Sequence, residues 1–197
     1  MSRQFEILGS AISDSSDAFV IAEIGHNHQG SVEKCKELLR TAKECGVDAV
    51  KLQKRDNRAL YTRSMYAKPY DNENSFGATY GEHREKLEFG RAEYVELKTY
   101  AEDLGLVFFA TAFDVPSADF LADLCVPAFK IASGDVTNLP LLRHVAKFGK
   151  PVLISTGTAD MDDVRRAHDA AAGAPVALLQ CTASYPCEFS ELNLNVI

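Results

Sequence analysis

The stretch VPAFKIASGD (126–135) alternates apolar residues until it reaches Lys130, and it then ends in a small polar corner. This pattern predicts a short, buried β-strand over residues 126–132. A lysine in an apolar strand costs free energy unless an anionic or reactive group is close to it. The stretch DAVKLQ (48–53) repeats the arrangement around Lys51. Two lysines at the ends of two strands therefore indicate an enzyme site for an anionic substrate.

Strand and helix patterns alternate along the chain. Helices are predicted from the N-cap Ser31 to Gly46, near 92–104, after Pro116, from Asn138 and from Asp160. The predicted strands are nearly continuous in apolar character, as parallel strands buried on both faces should be. They cover residues 19–25, 48–53, 106–111, 126–132, 151–156 and 175–181.

Two α/β architectures fit this order: an open doubly wound sheet and a (β/α)8 TIM-type barrel. The chain has no GxGxxG after its first strand and no GxxxxGK[ST], so nucleotide-binding open sheets lose their main support. Polar residues recur at or just after the carboxyl ends of the strands, and in a barrel these ends converge on one mouth. They are Glu23, Lys51, Gln53, Thr111, Lys130, Ser133, Ser155 and Thr182. The sequence thus favours the barrel, with about six βα units in this chain.

The length bears on how much of a barrel is expected. A complete (β/α)8 barrel takes about 250 residues, and this chain has 197. The expectation is therefore one domain over residues 1–197 that lacks its last two βα units. The alternative, a complete six-stranded sheet, would need a C-terminal helix that the pattern does not show.

Composition excludes several classes of function. A net charge of −7 and a pI near 5.2 argue against a nucleic-acid surface, which needs a basic face. The sequence shows no signal peptide and no apolar run long enough to span a membrane. Five cysteines without CxxC spacing fit a reducing compartment better than a disulfide framework. The expected location is the cytoplasm.

Residues 54–90 form one long insertion after the second predicted strand. Long loops of this kind are lids, binding loops or disordered segments. Its aromatic content favours a functional lid.

The role of the two lysines has several possible interpretations at this point. They would bind phosphate or carboxylate, form a Schiff base, or pair with buried carboxylates. The corners Ser133-Gly134 and Ser155-Thr156-Gly157 suit phosphate oxygens, which hydroxyl and backbone N–H groups can hold.

Other polar residues are more ambiguous. Glu23 lies in an apolar strand, and as a buried acid it would pair with a lysine, transfer protons or orient metal-bound water. Asp135 either caps the next turn or serves the lysine corner. His26 and His28 are expected to orient the first loop rather than bind metal, and Cys181 is expected to pack in the core. Tyr185, on a loop stiffened by Pro186, is a candidate substrate contact.

The chain resembles a known family from about residue 18 onward. The motifs, in the family's order and spacing, are AEIGHNHQG (22–30), AVKLQK (49–54), TYGEHREKLEF (79–89), FKIASGD (129–135), STG (155–157) and QCTASYP (180–186). Together they are similar to those of the sialic acid synthases.

The resemblance implies condensation of phosphoenolpyruvate with N-acetylmannosamine or its 6-phosphate, in a barrel that uses Mn²⁺ or Mg²⁺. It implies that phosphoenolpyruvate is held by Lys51, Thr111, Lys130, Ser133 and Ser155. Gln53, Asn74 and Tyr185 would lie near the sugar. Glu23 and Asp135 would be catalytic, orienting metal-bound water or transferring protons.

The same resemblance places the metal-binding histidines in later barrel strands, so no metal ligand is expected in this chain. It also implies a following antifreeze-like domain and a homodimer when full length. The 197-residue chain alone is therefore expected to be inactive. The alternatives are another phosphoenolpyruvate-dependent sugar synthase, a Schiff-base aldolase, or an inactive remnant acting as an accessory binding protein.

Overall fold

The computed structural model describes residues 4–197. Its strands are β1 (Gln4–Ile7), β2 (Ser10–Ser13), β3 (Ile21–Gly25), β4 (Ala49–Lys54), β5 (Val107–Ala112), β6 (Phe129–Ile131), β7 (Val152–Ser155) and β8 (Val176–Leu179). Its α-helices are α1 (Val32–Glu44), α2 (Asn57–Leu60), α3 (Arg63–Tyr66), α4 (Tyr80–Leu87), α5 (Arg91–Asp103), α6 (Val115–Asp123), α7 (Leu139–Ala146) and α8 (Met161–Ala170). Single 3₁₀ turns follow β6 and occur near the C-terminus.

The first of two compact units spans residues 18–126. Its centre is a parallel arrangement of β3, β4 and β5, in which Ile21 pairs with Ala49 and Ala49 with Val107. All but the last two residues of β4 are buried, as expected for a strand covered on both faces. Local signals mark both ends of α1 as predicted. Ser31 caps its start, and Gly46 takes a φ of +80° just after its end.

The second unit comprises residues 127–197 together with the segment up to residue 17. Here β6, β7 and β8 are parallel, with Phe129 opposite Val152 and Val152 opposite Val176. Asn138 and Asp160 cap α7 and α8 through their side chains, as their positions in the sequence predicted.

All six predicted βα strands are present, three in each unit, so the predicted alternation is confirmed. The strand predicted over 126–132 is shorter than expected and covers only three residues. The antiparallel hairpin of β1 and β2 was not predicted.

The segment 54–90 is partly helical rather than one continuous loop. Three short helices (α2, α3 and α4) lie within it, and each begins at a side-chain cap. Thr79 and Glu82 form a complete capping box at the start of α4. Within residues 4–197, no helix is long and apolar enough to cross a lipid bilayer.

His28 makes the stability of the fold sensitive to acid. Its ring is 1% exposed, stacks on Phe89 with centroids 4.1 Å apart, and accepts a hydrogen bond at Nδ1 from the backbone N–H of Gly30. Burial, reinforced by the neighbouring His26, lowers the pKa of His28 from 6.5 to about 4. Between pH 6.5 and pH 4, His28 is therefore protonated in the unfolded chain but stays neutral in the folded chain.

We expect the free energy of unfolding to fall by up to about 3 kcal/mol through His28 as the pH drops from 6.5 to 4. Urea unfolding at pH 7 and pH 4.5 measures this loss. His28→Phe keeps a stacked ring that cannot titrate, so its stability should depend less on pH. The exposed His168 provides the control variant His168→Asn, which should behave as wild type. An equal loss in His28→Phe would contradict the assignment.

Candidate functional site

Lys51 lies near the middle of β4, and its side chain is 5% exposed. Its Nζ lies 2.6 Å from Oε2 of Glu23 on β3, and it donates a hydrogen bond of 2.5 Å to Oγ1 of Thr111 on β5. Parallel pairing creates this arrangement, because Glu23 is directly opposite Lys51. The structure thus brings three of the predicted site residues together in what we call the Lys51 cluster (Glu23, Lys51 and Thr111).

The carboxylate in this cluster is more accessible than its apolar surroundings predicted. The side chain of Glu23 is 55% exposed, so the expectation of a buried acid was wrong, whereas its pairing with a lysine is observed. Glu23 lies close to the end of β3, where the register with β4 shifts between Glu23 and Gly25. A half-exposed carboxylate next to a buried ammonium can exchange partners with an incoming anion at lower cost than a buried pair could.

Gln53 borders the same cluster. Gly25 adopts a φ of +55°, and a Cβ atom at this position would lie 3.4 Å from Nε2 of Gln53 and 3.5 Å from Oε1 of Glu23. The amide of Gln53 and the carboxylate of Glu23 therefore both lie beside Gly25 at the end of β3. Its position on the same face of β4 as Lys51 follows from the two-residue period of a strand.

Burial lowers the pKa of Lys51, and Glu23 only partly opposes this effect. The physical reason is that an ammonium loses hydration in a buried environment, whereas the nearby carboxylate is partly screened by solvent. A second negative group close to Nζ would favour the charged form. The Lys51 cluster can therefore bind an anion.

Lys130, on β6, forms a second and chemically similar cluster. The residue is 8% exposed, and its Nζ donates to Oγ of Ser155 at 2.5 Å and to the carbonyl of Ile131 at 2.6 Å. Ser155 ends β7, and its oxygen also accepts from the thiol of Cys181 at 3.2 Å. We call Lys130, Ser155 and Cys181 the Lys130 cluster. Cys181 is half-buried against a predicted site residue instead of packing in the core as expected.

The two predicted hydroxyl–glycine corners meet beside this cluster. The backbone N–H of Gly157 donates to Oγ of Ser133 at 3.1 Å, and the hydroxyl of Thr158 donates to the Ser133 carbonyl at 2.6 Å. A Cβ atom at Gly157 would lie 3.1 Å from both Ser133 Oγ and the carbonyl oxygen of Cys181. A larger residue here would force these segments a few tenths of an ångström apart, so glycine suits their close approach.

Three further predicted site residues are Asn74, Tyr185 and Asp135. Asn74 is exposed, and its backbone N–H bonds to the side chain of Asn72. Tyr185 is 97% exposed, next to Pro186. Asp135 is half-buried and accepts a long hydrogen bond of 3.4 Å from Asn138. Sugar binding by Asn74 and Tyr185, and a catalytic role for Asp135, stay predictions.

The described residues do not fit a metal ion. Among residues 4–197, no group of three or more histidine, cysteine, aspartate or glutamate side chains could hold one. His26 contacts Glu88 (Nε2 to Oε1, 3.2 Å), and His28 stacks on Phe89. Both rings therefore pack against the segment that joins α4 to α5.

A buried ion network around Glu88 was missed by the sequence reasoning. Glu88 is 7% exposed; its Oε2 lies 3.2 Å from Nζ of Lys54 and accepts from the backbone N–H of Arg55. Burial raises the pKa of Glu88, but the bond from His26 and the charge of Lys54 outweigh this effect and lower it overall. In the sequence, Glu88 appears only as part of the LEF motif (87–89), and its distance along the chain from Lys54 does not indicate that the two residues pair.

The chain is similar to a known protein family and to curated proteins over most of its length. The family model "NeuB family" matches residues 38–197. Mouse N-acetylneuraminate-9-phosphate synthase is 40% identical over 96% of this chain and 53% of its own length. N,N'-diacetyllegionaminic acid synthase of Legionella pneumophila is 37% identical over 93% of this chain and 54% of its own length. The chain therefore spans about half the length of the curated relatives it matches.

A solved structure gives the same picture of the fold. The N-acetylneuraminic acid synthetase of Leptospira borgpetersenii, solved with citrate, superimposes with a TM-score of 0.85 at 29% identity. The superposition covers 100% of this chain and 65% of that one. It confirms the predicted fold class, six βα units of a TIM-type barrel. With the family model matched from residue 38 to residue 197 and relatives aligned over more than nine-tenths of the chain, this protein belongs to the NeuB family.

Proposed function

We propose that the gene product carrying this chain condenses phosphoenolpyruvate with an N-acylated hexosamine and releases phosphate. The product would be a sialic acid or a related nonulosonic acid, and the sugar N-acetylmannosamine or its 6-phosphate. The main support for this proposal is the pair of buried lysines. Each lies on a parallel strand and donates a hydrogen bond to a hydroxyl group. The names of the relatives, which are synthases of N-acetylneuraminate 9-phosphate and of a legionaminic acid, support the same reaction.

The lysines match the charges of phosphoenolpyruvate. This substrate carries a phosphate and a carboxylate a few atoms apart, and charge-assisted hydrogen bonds to such groups are the strong ones. Lys51 with Thr111, and Lys130 with Ser133 and Ser155, would supply the donors. The backbone N–H of Gly157 already points at Ser133 Oγ, which fixes that hydroxyl for an acceptor.

The reaction needs one new carbon–carbon bond and the loss of one carbon–oxygen bond. C3 of the enol attacks the aldehyde carbon of the open-chain sugar, and water adds to the cation-like C2. The bond from C2 to the phosphate oxygen then breaks, and phosphate leaves. Glu23 and Asp135 would transfer the protons, and the exposure of Glu23 leaves it accessible to water.

The sugar side of the site is assigned to Gln53, Asn74 and Tyr185. Gln53 has the strongest structural support, since its amide and the Glu23 carboxylate both border Gly25. A divalent metal, a homodimeric full-length protein and a cytoplasmic location belong to the proposal through the family. The described residues offer no metal site, so no step is assigned to a metal.

The test is phosphate release from phosphoenolpyruvate by the full gene product, with a panel of aldoses and with Mn²⁺ added. We expect release only with N-acylated hexosamines or their 6-phosphates. Aldoses without the acyl group serve as the matched control. Absence of release with every N-acylated hexosamine would refute the proposed function.

A Schiff-base aldolase is the second candidate, because burial lowers the pKa of Lys51 and so favours its nucleophilic form. Borohydride reduction in the presence of pyruvate, followed by peptide mass spectrometry, separates the two mechanisms. The synthase predicts no adduct. A covalent adduct on Lys51 or Lys130 would favour the aldolase.

A further inference from the structure

A cleft of about 420 Å³ lies in the unit of residues 18–126, on the helix side of β4. It is lined by Lys54, Arg55, Asp56, Asn57, Arg58, Glu85, Glu88, Phe89, Gly90, Pro116, Ser117 and Phe120. Along a strand alternate residues point to opposite faces, so Lys54 faces away from Lys51 and Gln53. Its Nζ lies 5.8 Å from the ring centre of Tyr94 on α5 and 5.1 Å from that of Phe120 on α6. The cleft is therefore separate from the Lys51 cluster.

Two polar side chains lining the cleft are buried without hydrogen-bond partners. Asn57 is 3% exposed, and neither its amide nitrogen nor its amide oxygen has a partner in the described part of the chain. Ser117 is 1% exposed, and its hydroxyl is likewise unpartnered. Buried groups of this kind destabilise a fold unless something bonds to them, and most in native proteins are bonded. Two such residues lining one cleft indicate a ligand that donates and accepts hydrogen bonds.

The charges around the cleft balance. Three basic side chains (Lys54, Arg55 and Arg58) and three acidic ones (Asp56, Glu85 and Glu88) line it. Two of the cations are engaged within the protein, since Lys54 is bonded to Glu88 and to the Phe89 carbonyl, and Arg55 stacks on Phe113 at 3.6 Å. This balance favours an uncharged ligand over phosphate or a carboxylate.

Apolar surface supplies the rest of the wall, through Phe89, Phe120 and Pro116. A ring with one apolar face packs well on such side chains, while its hydroxyl or amide groups reach polar atoms at the edge. The volume is within the range of small-molecule sites, roughly 300–1,000 Å³.

We propose that this cleft is a binding site for an uncharged, polyhydroxylated small molecule, namely a monosaccharide or an N-acylated hexosamine. Asn57 both donates to and accepts from the hydroxyl or acyl groups of the ligand, and Ser117 bonds to a further hydroxyl. The aromatic side chains contact the apolar face of the sugar ring. This site is additional to the one proposed for phosphoenolpyruvate and does not depend on that chemistry.

The test combines calorimetry and crystallography on the full gene product. The probes are N-acetyl-D-mannosamine, N-acetyl-D-glucosamine and D-mannose, with inorganic phosphate and citrate as charged comparisons. Asn57→Leu removes both unpartnered atoms at nearly constant volume, and Ser117→Ala removes the hydroxyl. Asn195→Leu is the matched control at an exposed asparagine outside the cleft.

We expect an uncharged sugar to give a saturable binding signal and electron density in the cleft of soaked crystals. Asn57→Leu should weaken binding to this site at least tenfold and Ser117→Ala severalfold, whereas Asn195→Leu should bind as wild type. Because Asn57→Leu replaces unpartnered polar atoms by apolar ones, its Tm should rise by about 2–4 °C, which excludes misfolding as the cause of lost binding.

Three results would overturn the proposal. One is absence of sugar density in the cleft together with unchanged calorimetry in Asn57→Leu. Another is binding of phosphate or citrate there in preference to the uncharged sugars. The last is a fall in the Tm of Asn57→Leu, which would show that the amide is bonded within the fold. A cleft that holds only water gives the first of these results.

Discussion

Lys51→Met is expected to lower kcat/KM for phosphoenolpyruvate by about 10²–10³-fold, the range found when one electrostatic donor is removed from an active site. The ammonium of Lys51 is buried between Glu23 and Thr111, neither of which carries a positive charge. Removing it therefore removes the positive charge of the Lys51 cluster. Methionine keeps the apolar stem and much of the volume. The measurement is phosphate release over a range of phosphoenolpyruvate concentrations.

The control is Lys98→Met, which removes another lysine from an ion pair. Lys98 lies 2.5 Å from Glu102 on α5, and its side chain is 21% exposed. Surface pairs of this kind contribute little to stability, so Lys98→Met should keep wild-type kinetics. The Lys51 variant should remain folded, because the carboxylate it leaves behind is 55% exposed and can be hydrated. Activity within threefold of wild type would remove Lys51 from the site.

Lys130→Met is expected to cause a loss of similar size, about 10²–10³-fold in kcat/KM. Lys130 is 8% exposed, and its ammonium is held by Ser155 Oγ and the Ile131 carbonyl, which fixes its position before a substrate arrives. Ser155 keeps a donor in the variant, because the thiol of Cys181 also bonds to its oxygen. The fold should therefore survive while the charge is lost.

Lys130→Arg distinguishes charge from geometry in the same assay. Arginine keeps the positive charge, but its planar fork does not reproduce a compact ammonium, so we expect only partial rescue. Lys147→Met, at an exposed position after α7, is the matched control and should keep the wild-type kcat/KM. Full activity of Lys130→Met, with unchanged KM for phosphoenolpyruvate, would refute the role.

Local signals in the sequence were sufficient for most of the fold. The apolar runs located all six parallel strands, and Ser31, Asn138 and Asp160 marked the helix starts that the structure confirms. These signals work because capping and period depend on residues only a few positions apart. The hairpin of β1 and β2 was missed, and so were the short helices after β4, whose polar sequence has little periodicity.

The lysines were identified from sequence, but their partners were not. A lysine in an apolar strand can be recognised from the sequence, because burying its charge without a partner costs free energy. That Lys51 would meet Thr111, and Lys130 would meet Ser155, depends on parallel register between segments 60 and 25 residues apart. The exposure of Glu23 likewise depends on its place close to the end of β3, which the apolar pattern alone misjudged.

The sequence by itself determined the βα order, the starts of α1, α7 and α8, and the two lysines that point to an anionic substrate. Only the tertiary structure decided which side chains share a contact, and it alone revealed the Glu88 network and the cleft at Asn57 and Ser117. The physical reason is the range of the interactions. Periodicity and caps act within one turn or strand, whereas the contacts of Lys54 with Glu88, and the shared burial of Asn57 and Ser117, require segments far apart in the chain to pack together.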